Sequence, residues 1–439
     1  MVQHRQLAAR GNQYPRTTKR LPLHFIVGAL LLIAIVQPQA WSRAEEASPE
    51  EASNVYLQTM QLVASTNAVS DFSPRPTLRV APDQRLMVTF NRAIDVSQGI
   101  QKPYYSVYNR GSRSWGTAQP VYSGGTSQRY VSFAFDSASR AHAVWLEGNH
   151  VYYARQDSWP GTAHKLSTST DAIVDPPAIA VGTNGVVHVV WAQGNNQATI
   201  YHVYASTSGG GWSTPAPVTA AGHGTSTPSV AVTADGSVHV VWSEATFDGS
   251  LPSLYRDEIF YRKGTPQSPT YSWTTPLKVS ANLTNAVRPE IVASGNELHL
   301  GYARFDAPET QYAYYRRFAN GGWSTPRNLN SSNPVGVNTS SPYFLVTSLA
   351  VCGSDVYLLF HGAPYGETSE QIWSASSNNG WQNAAPITPR RSRNIDPTVA
   401  CDSGNLSVAM DKVTIDNNAH DIYWGSEENR VLLPMITRG

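Results

Sequence analysis

Short runs of alternating apolar and polar residues dominate the chain from about residue 54 onward. Each run is bounded by turns rich in glycine, proline, asparagine and serine. A period of two places successive side chains on opposite faces of a strand, so these runs predict short β-strands. The plentiful tyrosine and tryptophan, 22 and 12 residues, favour the same state. We therefore expect an all-β protein.

The predicted strands recur in a fixed order. A tryptophan opens a similar phrase six times, with spacings of 44, 53, 61, 50 and 58 residues, at Trp115, Trp159, Trp212, Trp273, Trp323 and Trp381. After each come a short inner strand, often entered through a proline, and a second strand that ends in an aromatic residue or methionine. A tyrosine-rich third strand follows. Units of about 40–50 residues with four strands each are typical of propeller blades.

A seventh copy of the unit precedes Trp115, with strands in 75–90 and 103–109. We therefore predict a seven-bladed β-propeller of four-stranded antiparallel blades, with a six-bladed ring as the alternative. The ring has to close, because a bare sheet edge invites aggregation. The last blade needs a fourth strand, which either residues 54–65 or residues 430–436 would supply, and we favour the N-terminal segment.

The N-terminus resembles a targeting segment. Basic residues lead into the apolar run 21–36, and small residues end at Ala40 or Ala44, where a signal peptidase would cleave. Sixteen apolar residues are marginal for spanning a bilayer, so an uncleaved anchor is the alternative. We predict a signal peptide in 1–44, a linker in 45–53, the propeller in 54–428 and a tail in 429–439. The mature chain is then secreted or at the cell surface, without a membrane span.

Charge and motifs narrow the function classes. The chain has 32 basic and 31 acidic residues, which argues against a nucleic-acid partner because that would need a concentrated basic surface. No phosphate-binding loop, dinucleotide fingerprint or Cys/His metal spacing occurs, so we expect neither a cofactor nor a metal. We expect a monomer.

Four histidines share one position of the second strand: His142, His188, His239 and His299. In a propeller, one repeat position lies around a ring. Four such side chains cannot converge on one ion with bonds of about 2 Å. We interpret this set, and the repeated tryptophans, as packing between blades.

Candidate chemistry lies at the channel mouth, before the inner strands and after the second strands. The positions before the inner strands are Arg75, Arg129, Asp175, Thr227, Arg288, Ser341 and Asp396. Those after the second-strand aromatic residues are Arg92, Glu147, Gln193, Glu244, Arg304, His361 and Asp411. These positions concentrate charge in a chain with only 14% charged residues, so we expect the arginines, Asp396 and Asp411 to bind a ligand. Arginine binds carboxylates through two parallel hydrogen bonds, and carboxylate pairs perform acid–base work on glycosides.

The two cysteines, Cys352 and Cys401, fall at the ends of inner strands in adjacent blades. An even count in an exported protein predicts a disulfide, with two buried thiols as the alternative.

The repeated pattern P-x-(I/V)-A-V…G-x-V-H-V-V-W…I-Y-Y…G-G-W-S-T-P resembles that of the sialidase (neuraminidase) superfamily of β-propellers, whose repeats carry BNR or Asp-box motifs. The resemblance covers 54–428. Here the box is degenerate: "STSGGGW", "FANGGW" and "SSNNGW" stand in its place. Sialidases also have six blades rather than seven. The resemblance implies arginines for a carboxylate at Arg75, Arg92, Arg288 and Arg304, a general acid at Asp95, and Glu147 or Glu244 assisting a tyrosine nucleophile.

Three functions are compatible with this sequence. We favour a non-catalytic module that binds a glycan or another extracellular ligand at the channel mouth, because the family motifs are degenerate. The alternative is an exo-glycosidase of sialidase type that hydrolyses terminal acidic sugars, which the charged mouth supports. A purely structural or protein-binding surface domain would have no deep pocket there.

Overall fold

Seven antiparallel β-sheets account for almost all regular structure in the computed structural model. The structure describes residues 57, 60–69, 74–173, 175–194, 197–208, 211–220, 223–247, 255–268, 270–281, 285–307, 310–332, 334–336, 345–364, 367, 369–382, 384–389, 393–414 and 419–427. The predicted signal peptide, linker and tail lie outside these residues. The regular helix among them is one short 3-10 turn, Gln156–Ser158, and none of the described helices is long and apolar enough to cross a membrane.

Each sheet forms one blade of four strand positions, numbered here 1 to 7 in the order of their inner strands. The inner strands are Thr77–Val80, Gln128–Phe135, Ala178–Val181, Thr225–Val232, Ala286–Ser294, Thr347–Cys352 and Arg393–Asp402. The second strands are Leu86–Asp95, Ala141–Glu147, Val186–Gln193, Val238–Phe247, Glu297–Ala307, Asp355–Pro364 and Asn405–Thr414. The third strands are Ile100–Asn109, His150–Arg155, Thr199–Ser206, Tyr255–Gln267, Thr310–Ala319, Gln371–Ser376 and Ala419–Ser426.

The outer position is short in blades 1 to 6, and in three of these blades it is split in two. In blades 1 to 6 it consists of Ser114–Trp115 with Gln119–Pro120, His164–Lys165, Ala216–Pro217, Thr270–Trp273 with Leu277–Lys278, Gly322–Trp323 with Arg327–Asn328, and Ala385–Pro386. Blade 7 takes its outer strand, Gln61–Val69, from the N-terminal end of the propeller. A two-residue strand, Val335–Gly336, bridges blades 5 and 6.

The ring contains seven blades, as predicted, rather than six. Every inner strand contacts the inner strands of both neighbouring blades, and blade 7 contacts blade 1 in the same way. Four of these seams carry a hydrogen bond from an inner-strand N–H to a side chain in the inner strand of the preceding blade. The acceptors are Ser229, Glu290, Ser348 and Thr398, at 2.9–3.2 Å. The seams are therefore joined by polar contacts along the channel wall.

The N-terminal segment closes the ring, as the sequence favoured, although its strand begins later than predicted. The strand Gln61–Val69 pairs antiparallel with Ala419–Ser426. Before it, the N–H of Leu57 donates to the carbonyl of Ile387 in blade 6 at 2.9 Å. The chain thus first contacts blade 6 and only then completes blade 7. The alternative donor, 430–436, lies outside the described residues.

The hydrophobic core is divided among the seams between blades. Seven clusters of buried side chains form in the described part of the chain, one at each seam. The aromatic residue that ends the repeated second-strand motif is fully buried in blades 1 to 6, as at Trp145, Trp191 and Trp242. Burial of both faces explains why these strands lack strict alternation and instead consist of near-continuous apolar residues.

The repeated histidine belongs to this packing. His142, His239 and His299 each lie 2.7–2.8 Å, ring nitrogen to hydroxyl oxygen, from a tyrosine of the third strand in the same blade. A tryptophan of the next blade packs against that tyrosine, as Trp323 does against Tyr261 with ring centroids 5.3 Å apart. Burial lowers the pKa of His239 to about 4, so its ring is neutral. The described residues contain no group of His, Cys, Asp and Glu able to hold a metal.

Cys352 and Cys401 form a disulfide between the inner strands of blades 6 and 7, with Cα atoms 5.2 Å apart. Both lie at the ends of those strands that are distant from the prolines, so the bond joins the two blades near the opposite end of the channel.

Candidate binding site at the channel mouth

The inner strands of all seven blades enclose a cavity of about 290 Å³ at the end of the channel where these strands begin. The charged residues that line it are Arg75, Arg79, Asp175, Arg288, Glu290 and Asp396. Tyr130 adds an aromatic ring. Three cations and three carboxylates therefore face one small space, in a chain that is poor in charge.

The backbone at the rim of this cavity is left-handed at one repeat position in five blades. The five residues, none of them glycine, have φ between 42° and 61° and are Arg75, Tyr130, Thr227, Arg288 and Asp396. In blades 2, 4, 5 and 7 the ladder to the second strand shifts register across this residue, which marks a β-bulge. Such conformations cost on the order of 1–3 kcal/mol each and persist where the surroundings enforce them. All five residues line the same cavity.

The prolines that follow the bulges explain how the chain tolerates them. A bulge leaves a backbone N–H without a ladder partner, and proline has no N–H to leave unpaired. Proline follows the left-handed residue in four of the five blades, at Pro76, Pro228, Pro289 and Pro397. In blade 2, Val131 replaces proline, and its N–H donates to Oδ1 of Asn91 at 3.1 Å. The recurrent proline of the sequence is thus the mark of the bulge.

Side chains of the preceding blade hold the left-handed residues in place. The N–H of Thr227 donates to Oδ2 of Asp175 at 3.0 Å, and the N–H of Arg288 donates to Oγ of Ser243 at 3.1 Å. Ser243 also lies 2.9 Å, oxygen to oxygen, from the Thr227 hydroxyl and is almost fully buried. Neighbouring blades therefore determine each other's rim geometry.

Arg288 is electrostatically coupled to four other groups of the mouth. Burial lowers the pKa of its guanidinium, and the Arg75 cation lowers it further, while Asp396, Asp175 and Tyr130 act in the opposite direction. The guanidinium carbon of Arg75 lies 4.6 Å from the centroid of the Tyr130 ring. This arrangement presents two arginines, two carboxylates and a phenol within mutual electrostatic range.

Of the predicted arginines, the structure brings only Arg75 and Arg288 into the cavity lining. Arg129 is exposed on the rim, with its guanidinium carbon 5.3 Å from the Tyr130 ring centroid. Arg92 and Arg304 are absent from the lining, and Arg92 lies 5.4 Å from the ring of Tyr104. These two lie within second strands, which are farther from the channel axis than the inner strands.

The predicted general acid, Asp95, lies at the end of the second strand of blade 1 and not in the cavity lining. Its Oδ1 accepts hydrogen bonds from the hydroxyl of Ser97 at 2.6 Å and from the N–H of Gln98 at 3.1 Å. These bonds, that of Ser97 above all, lower the pKa of the Asp95 carboxyl. A carboxyl that is ionised and bonded within its own turn is poorly suited to donate a proton.

Glu147 and Glu244 also lie outside the cavity lining and have local partners. Glu147 accepts a hydrogen bond from Nε2 of Gln128 at 3.0 Å. Glu244 accepts one from the indole N–H of Trp242 at 2.9 Å and contacts the ring of His223 at 2.8 Å. Neither carboxylate contacts a tyrosine hydroxyl through any hydrogen bond between described residues.

Asp411 and His361 lie behind the wall of the cavity rather than in it. Both directly follow the last residue of the second-strand motif, whereas Arg92 and Glu147 come two residues after it, so Asp411 and His361 point to the opposite face of their sheets. Each is fully buried. Oδ2 of Asp411 lies 2.7 Å from Nδ1 of His420, and burial raises the pKa of Asp411 to about 7.

His361 has no hydrogen-bond partner on either ring nitrogen within the described chain. Burial lowers the pKa of His361, while Glu370 and then Asp396 act to raise it. The carboxylate of Asp396 also raises the pKa of Asp411, in addition to the larger effect of burial. Asp396 and Arg288 are therefore lining residues whose charges affect the pKa of titratable groups beneath the mouth.

Sequence reasoning overlooked Arg79, Tyr130 and Glu290. Arg79 and Glu290 lie within inner strands, each two residues from another lining residue beyond the bulge, Thr77 and Val292, so the period of two places both side chains on the channel side. That period was the available signal. Of the other predicted positions, Asp175 and Thr227 line the cavity, whereas Ser341 lies outside the described residues.

No protein-family model matches the chain, and no curated protein does. Among solved structures, a protein of unknown function from Dyadobacter fermentans is 10% identical, with a TM-score of 0.52, over 84% of this chain and 98% of that one. A leech intramolecular trans-sialidase is 10% identical, with a TM-score of 0.46, over 87% of this chain and 72% of that one. The polysaccharide lyase Uly1 is 11% identical, with a TM-score of 0.47, over 87% and 95%. Similar structures thus include sialidases, the family that the repeats resemble, and at this identity the likeness concerns the fold alone.

Proposed function

We propose that the chain is an exported recognition module that binds a glycan, or another extracellular ligand bearing a carboxylate, at the mouth of its central channel. The observation that carries the proposal is the ring of left-handed, non-glycine residues around one charged cavity. Strained backbone clusters at ligand clamps because a binding site needs side chains that an ordinary strand would not present. Export rests on the N-terminal sequence.

The lining residues define the chemistry of the ligand. Arg75 and Arg288 supply forked donors that suit a carboxylate. The Tyr130 ring offers an apolar face, and the carboxylates of Asp175 and Asp396 accept hydrogen bonds from ligand hydroxyls. A cavity of about 290 Å³ lies at the lower limit of small-molecule sites, about 300–1,000 Å³, so it favours one terminal unit over an extended chain.

Recognition without turnover is the function that these residues support best. The general acid that the family resemblance implies, Asp95, is engaged within its own turn, and Glu147 and Glu244 have local partners. An exo-glycosidase acting on terminal acidic sugars is the second candidate. The observation that favours it is Asp396, a lining carboxylate that is coupled to the buried titratable groups His361 and Asp411.

Titration calorimetry on the chain from Glu45 onward tests the proposal, with N-acetylneuraminic acid, glucuronic acid and galactose as ligands. We expect an acidic sugar to bind and galactose to bind at least ten-fold more weakly. Arg288→Ala should weaken binding about 10- to 100-fold, because hydrogen bonds to charged groups contribute about 1.5–3 kcal/mol. The matched control is Arg317→Ala, whose guanidinium pairs with Glu297 outside the cavity, and this variant should bind like the parent.

Equal effects of the two arginine variants, or equal affinity for galactose, would contradict the proposal. Release of a fluorogenic aglycone from a sialoside, measured in parallel, separates the two candidate functions. Turnover that disappears in Asp396→Asn would establish the hydrolase instead of the recognition module.

A further inference from the structure

The floor of the cavity contains an arginine whose charge the described protein does not neutralise by contact. Arg79 lies in the inner strand of blade 1 and lines the cavity at the mouth. It also lines a depression of about 560 Å³ at the opposite ends of the inner strands. Arg79 therefore contributes to the lining at both ends of its inner strand.

Arg79 uses few of its donors within the protein. A guanidinium has five N–H donors. In the described part of the chain, Nη1 of Arg79 donates to the carbonyl of Leu78 at 2.9 Å, and no ion pair within 4.0 Å involves this residue. Burial lowers the pKa of Arg79, which reflects the cost of holding the cation there. Its remaining donors are available to an anion.

Glu290, across the channel in blade 5, is the carboxylate whose charge raises the pKa of Arg79 against the larger effect of burial. Oε2 of Glu290 accepts the N–H of Leu349 at 3.1 Å. Burial raises the pKa of Glu290 to about 7, against the smaller opposing effects of Arg79 and of that hydrogen bond. The other charged residues that line the same cavity are Arg75, Asp175, Arg288 and Asp396.

We propose that Arg79 and Glu290 form an anion subsite at the floor of the cavity, in which a carboxylate of the ligand binds Arg79 while Glu290 takes up one proton from solvent. This subsite adds to the proposed recognition of a carboxylate-bearing ligand at the mouth, and it rests on that proposed function. Protonation turns Glu290 from a repelling anion into a hydrogen-bond donor. The ligand thus gains a cation and a donor on opposite sides of the channel.

The sign of the pH dependence follows from the charges. A ligand carboxylate beside Glu290 disfavours its ionised form, so the pKa of Glu290 is higher in the complex than in the free protein. Binding then takes up a proton at every pH between those two pKa values. Affinity should rise as the pH falls towards about 7, by up to ten-fold per pH unit, and should become independent of this group below about pH 6.

Calorimetry with N-acetylneuraminic acid and glucuronic acid between pH 5.5 and 8.5 tests the subsite, and buffers with different ionisation enthalpies give the proton count. Wild type should take up between half a proton and one proton at pH 7.5. Glu290→Gln, which is isosteric, should remove the uptake and bind at least as tightly as wild type at pH 8. Arg79→Met should weaken binding at pH 6 by at least ten-fold. Glu297→Gln, a change of the same kind at an exposed position in the same blade, should behave like wild type.

Each contrary outcome has a distinct meaning. Binding without proton uptake would overturn the linkage between ligand binding and protonation of Glu290 but leave the mouth as the site. Uptake that persists in Glu290→Gln and disappears in Asp411→Asn would have the same meaning. Loss of affinity in Arg288→Ala with none in Arg79→Met would overturn the floor subsite alone. Failure of both acids to bind wild type at any pH would overturn the proposed function and the subsite together. Far-UV circular dichroism of each variant verifies that it is folded.

Discussion

At the scale of single residues, the side chains of the scaffold differ in their contacts from those of the candidate site. Three of the four repeated histidines lie beside tyrosines of their own blade, His188 lies 3.0 Å from His202, and burial lowers the pKa of all four, so they are parts of the packing. The rim residues differ from blade to blade but share one backbone conformation. A repeated side chain thus belongs to the packing here, while varied side chains on a repeated left-handed backbone line the cavity for which we propose binding.

Ser243 offers a test of how that strained backbone is held. Ser243→Ala removes the acceptor for the N–H of Arg288, and an unsatisfied buried group costs about 1–3 kcal/mol of unfolding free energy. We expect urea unfolding to show this loss and calorimetry to show weaker binding of the acidic sugar. Ser280→Ala is the matched control, since it removes a similar buried bond, from the N–H of Ile259 in the same blade, outside the cavity lining.

The control should lose comparable stability and keep its affinity. If both serine variants lose affinity equally, the weaker binding reflects a general loss of stability of the blade, and the specific role of Ser243 is wrong.

At the scale of elements, the sequence was most informative where a pattern repeats. The period of two, the proline before the inner strand and the aromatic end of the second strand located all seven blades and the disulfide. The bulge was not predicted, because its left-handed residue carries no side-chain signature: arginine, tyrosine, threonine and aspartate all occupy it. For the same reason the sequence pointed to Arg129 as the rim residue of blade 2, whereas the left-handed residue that lines the cavity there is Tyr130.

The N-terminal strand is the element with the largest predicted effect on stability. Deletion up to residue 73 removes Gln61–Val69 and leaves the third strand of blade 7 as an open edge. An exposed edge pairs with other chains, so we expect aggregation or unfolding of this truncated chain. The chain from Ser53 onward, which retains the strand, should unfold at the same urea concentration as the chain from Glu45 onward.

Light scattering and urea unfolding of the two truncated chains provide the measurement. A soluble, cooperatively folding chain that begins at residue 74 would contradict closure of the ring by the N-terminal strand.

At the scale of the whole molecule, the ring explains why the site could be only partly predicted. A repeat alignment places side chains around a circle but does not show how far each lies from the axis. Arg75 and Arg288 belong to inner strands and reach the cavity, while Arg92, Arg304, Glu147 and Glu244 belong to second strands and lie outside its lining. Asp411 lies in a second strand as well, behind the wall.

The crystal structure of the chain from Glu45 onward, soaked separately with N-acetylneuraminic acid and glucuronic acid, tests the central claim most directly. We predict density for one acid in the cavity at the channel mouth, with its carboxylate in contact with an arginine of the lining and its ring beside Tyr130. Density elsewhere with an empty mouth would contradict the account. Density in the depression of about 620 Å³ between blades 5 and 6, beside Tyr315 and Trp381, would then identify a different binding site.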